Sequence, residues 1–236
     1  MVNNELKTAD DVKEYVDCIF NKILEAQDTD SIKKIIDEDP VLIKNKMNVD
    51  KYPRINFDIN KDEIDLLINQ NVIDNEGNII PNFQNIIKNS DAITKLFYVA
   101  LWKNGDLTKI KHIIQGIRDK EESISKEDGL VFYHFGKYLK NKNLPIIDQH
   151  VLRAFAIYKT ENTDSKKINK LRKLSTVNKS HKKIISDYKK WSVKEVQINL
   201  KNIPDYLYYI DKTLFALGKA IKIKDTKDQN SSLSQV

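Results

Sequence analysis

Residues 125–155 read SKEDGLVFYHFGKYLKNKNLPIIDQHVLRAF, and this stretch decides the fold. Ser125 ahead of Lys126, Glu127 and Asp128 is a helix-capping start, with acids in the first turn. The spacing predicts a helix from Lys126 to about Lys140, its core face drawn from Leu130, Val131, Tyr133, Phe135 and Leu139. Gly129 and Gly136 are seven residues apart on one face and permit close backbone approach there. Asn141 to Asn143 read as a loop, and Leu144-Pro145-Ile146-Ile147 as an extended lead. Asp148 then stands where a helix N-cap belongs, ahead of a helix carrying His150, Val151, Leu152, Arg153, Ala154 and Phe155.

Helical periodicity continues in both directions. Thr8 caps a helix whose stripe is Val12, Tyr15, Val16, Ile19, Phe20 and Ile23. A short helix follows from Ser31 and ends before Pro40. Residues 41–60 read as irregular, with Leu42, Ile43, Ile55 and Phe57 in a short extended piece. Residues 61–70 form a helix and Asn75 to Asn78 a turn. Pro81 opens a short helix through Ile87. Ser90 caps a helix whose core stripe is Ile93, Leu96, Phe97, Ala100 and Leu101, ending at Asn104-Gly105. Further helices are expected at 106–117, 164–174, 178–190 and 204–221. The polar tail from Lys222 to Val236 is expected to be disordered. With 6 glycines and 5 prolines in 236 residues, turn residues are too few for a many-stranded protein. The expected fold class is all-α, divided into an acidic helical region 1–89, a core 90–158, basic C-terminal helices 159–221 and the tail.

Composition narrows the function. A single cysteine excludes a disulfide framework and any multi-cysteine metal site. Cys18 falls in the first helix's apolar stretch and reads as a buried thiol. No His/Asp/Glu cluster has metal-ligand spacing, and there is no cofactor signature. No apolar run reaches the length of a membrane span, and the polar start is unlike a signal peptide. A soluble, cytoplasmic monomer is expected. Residues 1–100 hold 12 basic and 19 acidic side chains, a net of −7, and residues 101–236 hold 28 and 15, a net of +13. The densest basic stretch, 159–201, has 13 basic and 4 acidic residues. Such a stretch suits phosphate neutralisation, and an acidic N-terminal half lying beside it would shield it. Lys166, Lys167, Lys170, Arg172, Lys173, Lys182 and Lys183 are its candidate nucleic-acid contacts, or else a solvated face.

Pro145, Asp148, His150, Val151 and Arg153, after a capped helix and a short loop, resemble the helix-hairpin-helix DNA glycosylase superfamily. The resemblance covers residues 125–155 closely and implies a glycosylase-like helical bundle. It implies excision of a damaged or mismatched base from double-stranded DNA. Asp148 becomes the essential carboxylate. Lys126, 22 residues earlier, falls where family members with lyase activity place their nucleophile. Cleaving a base from deoxyribose develops positive charge on the sugar, which a carboxylate stabilises. An attacking amine must first lose its proton. The flipped base needs stacking and polar groups, for which Trp102, Phe132, Tyr133, His150 and Arg153 are the candidates. Each has a packing role as its alternative, as Asp148 has the cap. Where the family places hairpin glycines, this chain has Glu121-Glu122-Ser123-Ile124-Ser125. That departure favours a second expectation, an inactive relative that binds nucleic acid or protein.

Overall fold

The computed structural model describes residues 6–81, 83–118, 129–161, 164–196, 198–203 and 205–223. Among them the fold is all-α, with one isolated bridge, Ile73 to Ile79, and no strand. The helices are α1 (Ala9–Glu25), α2 (Thr29–Glu38), α3 (Pro40–Asn45), α4 (Lys61–Asn69), α5 (Phe83–Asn89), α6 (Ala92–Lys103) and α7 (Leu107–Ile117). They continue as α8 (Gly129–Lys140), α9 (Gln149–Tyr158), α10 (Ser165–Arg172), α11 (Lys182–Lys194), α12 (Ile198–Lys201) and α13 (Tyr206–Ala220). Two compact units cut across the segments expected from the sequence. The first unit joins Met1–Pro53, Asp148–Thr176 and His181–Val236, and the second holds Arg54–Ile147 with Val177–Ser180.

In the first unit, α1 begins as the sequence predicts. Thr8 accepts from the Asp11 amide while Asp11 accepts from the Thr8 amide, a reciprocal cap. Val12, Val16, Ile19, Phe20 and Ile23 are fully buried. Tyr15 is only half-buried and donates to Asp39 Oδ1 at 2.7 Å. Cys18 corrects the expectation: it is exposed, because it lies opposite the buried 12/16/19/20/23 stripe. Residues 41–45 are also helical rather than extended. Pro40 takes the first position of α3, where its missing N–H costs nothing, and Asp39 caps it through Val41 and Leu42. The core is aromatic. Phe20 stacks on Tyr158 with centroids 4.1 Å apart, and Phe155, Tyr188 and Trp191 close around them. Trp191, left open by the sequence as core or stacking residue, is wholly buried.

Helix α9 runs through this core with Val151, Leu152, Ala154, Phe155 and Ile157 all buried. It crosses α13 at Gly218. A Cβ there would lie 1.9 Å from the His150 carbonyl oxygen, so only glycine allows this approach.

In the second unit, Ile64, Val72, Ile73, Ile114, Ile117, Tyr138 and Leu139 form the core. Helices α7 and α8 meet backbone to backbone. A Cβ on Gly116 would lie 2.0 Å from the Tyr133 carbonyl, and one on Gly136 2.1 Å from the Ile113 carbonyl. The expected close approach at Gly136 is therefore present, with Gly116 as its partner, while Gly129 faces the His112 ring instead. Helix α6 departs from expectation. Its true cap is Asp91, which accepts from the Thr94 amide. Its apolar side chains are exposed rather than core.

Candidate functional site

Asp148 is the N-cap of α9, with extended backbone at φ −139° and ψ 172°. One carboxylate oxygen, Oδ1, accepts both cap bonds, from the His150 amide at 2.6 Å and the Val151 amide at 2.8 Å. Oδ2 accepts no hydrogen bond from the described residues. Burial raises the Asp148 pKa, and the two amides and the Arg153 charge oppose it without cancelling it.

Arg153 lies one turn further on, fully buried. Its guanidinium donates to the carbonyls of Gly218 in α13 and Leu174 after α10, and to His150 Nδ1 at 2.9 Å. Arginine has no acceptor, so His150 Nδ1 must be unprotonated and the ring proton sits on Nε2. The His150 ring meets Phe215 edge-on at 4.7 Å. Burial, then the Arg153 charge, push its pKa down to about 4, so it is neutral at pH 7. Burial lowers Arg153 to about 10, which leaves it charged.

The three residues therefore act together. Arg153 fixes α9 to α13 and to the chain after α10, His150 takes one of its protons, and Asp148 sits within the field of its charge. The arrangement yields a carboxylate with one oxygen locked and one available, raised toward the range useful for proton transfer. His150 and Arg153 spend their polar atoms on the fold rather than on a ligand, contrary to the substrate contacts expected of them.

The sequence gave Asp211 no role, yet it is buried and accepts a 2.6 Å hydrogen bond from Tyr188 Oη. Asp148 and Asp211 both raise the Tyr188 phenol, after burial itself. The signal was legible: Asp211 is an acid set among Leu207, Ile210, Leu214 and Leu217, which are all buried on α13.

The other candidates are dispersed. Lys126 lies outside the described residues. Trp102 is 63% exposed on α6. Phe132 on α8 is half-buried under the Lys109 ammonium, and Tyr133 is buried against α7. Lys166, Lys167, Lys170 and Lys173 are exposed along and just beyond α10, as are Lys182 and Lys183 at the start of α11. Arg172 is a correction. Its guanidinium is turned inward, donating to Ile221, Lys7 and Leu6 carbonyls, so it ties α10 to α13 and to the N-terminal segment. Among the described residues no group of three His, Cys, Asp or Glu side chains is arranged to hold a metal ion. No helix of the described residues is long and apolar enough to cross a membrane. Compared with protein-family models, curated proteins and solved structures, the chain matches none.

Proposed function

We propose that the protein excises a damaged or mismatched base from DNA, with Asp148 as the essential carboxylate. The observation that carries this reading is the division of labour within that carboxylate. Oδ1 is held by the α9 cap, and Oδ2 is left for chemistry on a group whose pKa burial raises. In the hydrolytic version, Oδ2 takes a proton from water, the water oxygen bonds to C1′, and the C1′–N bond electrons leave with the base, which is protonated in turn. In the lyase version, the Lys126 amine bonds to C1′ in place of water. Exposed lysines of α10 and α11 supply phosphate contacts that position the duplex without reading it. The tight α7–α8 pair, joined through residues 119–128, suits a helix-hairpin-helix element.

Asn caps a helix about as well as Asp. Asp148→Asn is therefore expected to keep its thermal midpoint while base release from lesion-bearing duplexes falls by about 10²–10⁴-fold. Borohydride trapping on abasic duplexes, with Lys126→Ala alongside, separates the two versions: an adduct lost in the variant locates the nucleophile. Full engagement of His150 and Arg153 in the fold favours a second reading, a scaffold whose Asp148 is a cap only. Salt-dependent duplex binding without base release across a broad lesion panel would select it.

A further inference from the structure

Helix α6 is an apolar helix with most of its surface uncovered. Ile93 is 55% exposed, Leu96 and Phe97 64%, Val99 56% and Trp102 63%, and no residue of α6 is buried. Its inner contacts are narrow: Tyr98 meets the Phe83 ring edge-on and accepts from Gln84. At 100° per residue, Thr94, Tyr98 and Leu101 share that inner side. Ile93, Leu96, Val99 and Ala100 form the opposite stripe, with Phe97 and Trp102 on its flanks. This is the i, i+3, i+7 pattern of a helix built to bury its face.

We propose that α6 is the isologous interface of a homodimer, pairing antiparallel with α6 of a second copy. Three observations favour a second copy over other occupants. The chain lying outside the described residues carries no apolar stripe to cover α6: residues 119–128 contain one apolar side chain, Ile124, and residues 224–236 are polar apart from Leu233 and Val236. The area suits a dimer. The exposed side chains of α6, with Ile86 of α5, present on the order of 600 Å². Two copies would bury roughly 1,200 Å², the lower edge of a stable interface. The charges are self-complementary. Asp91 caps the N-terminus of α6 and Lys103 ends it. A twofold axis near Phe97 and Tyr98 sets Leu96 across from the copy's Val99 and Ile93 across from its Trp102. The same axis puts Asp91 of each copy beside Lys103 of the other, with the helix dipoles opposed. A lipid surface fits less well, since Lys95 and Lys103 interrupt the exposed arc.

The test is sedimentation of the full chain across ~1–100 μM, read with tryptophan emission. The chain has two tryptophans, and Trp191 is wholly buried, so any concentration-dependent blue shift reports on Trp102. The expected result is a species of twice 27.5 kDa appearing with that shift. Leu96→Glu should abolish both, with its helical circular dichroism unchanged. Lys103→Glu, which sets like charges together, should weaken association about tenfold at low salt, and the loss should shrink at high salt. A monomer throughout this range overturns the proposal. So does a dimer that survives Leu96→Glu with Trp102 still exposed. Binding of Trp102 to phosphatidylglycerol vesicles by a chain that remains monomeric would also overturn it, in favour of a lipid surface.

Discussion

At the scale of single residues, burial decides which polar groups serve the fold. Arg153 and Arg172 come from the two ends of the basic run's range of environments. Arg153 is enclosed by α9, α13 and the chain after α10, and Arg172 is turned onto three carbonyls. A guanidinium has five fixed donors, so it can hold several carbonyls that would otherwise be buried unpaired. The neighbouring lysines stay in water because their heads have no such set of acceptors. His150 carries a measurable consequence of this arrangement. Its folded pKa is about 4 against 6.5 unfolded. Above pH 6.5 both states are neutral there and its contribution to stability is complete. As pH falls through 6.5 the unfolded chain gains a proton that the folded ring does not, and stability drops until about pH 4. Asp148, raised by burial, acts with the opposite sign: its ionised form costs stability that acidification relieves. Comparison with His150→Gln isolates the imidazole, since Gln retains an acceptor for Arg153. Urea unfolding at pH 7 and pH 4.5 should show the wild type losing about 1–2 kcal/mol more than the variant, a figure discounted because the ring is only partly buried. Equal losses would mean that His150 protonates freely in the folded state.

At the scale of elements, local chemistry was read more reliably than contact. The caps at Thr8 and Asp148 are where the sequence puts them, because a cap is a matter of a few adjacent residues. Helix α3 was hidden because Pro40 ends one helix and opens the next, and the first role masks the second. The α6 stripe is real as a pattern, but periodicity names the face that seeks burial without naming what covers it. Helix crossings are also set by partners that sequence spacing does not reveal. Gly136 was legible as a close-approach residue; Gly116 and Gly218 gain their meaning only from Tyr133, Ile113 and His150. These crossings make a signed prediction. In an exposed helix, Gly→Ala stabilises by about 0.5–1 kcal/mol. At Gly218 and Gly116 the new Cβ would meet a backbone carbonyl at 1.9 and 2.0 Å, which no rotamer change relieves. Each variant should instead lose about 2–3 kcal/mol or more, as overpacking does. Chemical denaturation gives the sign directly, and a gain at either position would refute the crossing geometry.

At the scale of the whole molecule, the charge asymmetry along the chain does not become an asymmetry between compact units. The acidic helices α1 and α2 fall in the same unit as the basic α10 and α11. Counted over their residues, the two units carry +5 and +1 of the total +6. Asp10 of α1 approaches Ser165 of α10 at 3.4 Å, which brings acid to the start of the basic run. The mutual shielding left open by the sequence is thus built into one unit. The units are also energetically separable, because each encloses its own core. One is the aromatic cluster around Trp191 and Phe155, and the other the aliphatic cluster around Ile114 and Ile117. The chain of the first unit leaves at Pro53 and returns at Asp148, so the second unit resembles an insertion whose two ends its host holds. Two cores of different make-up should not melt as one. Calorimetry of the full chain is expected to give a van't Hoff enthalpy below the calorimetric one, the mark of more than one transition. Gly218→Ala should lower the transition followed by near-ultraviolet tryptophan signal from the buried Trp191. Gly116→Ala should lower the other and leave that signal's midpoint within about 1 °C. A single transition, shifted equally by both variants, would show that the two cores unfold as one cooperative body.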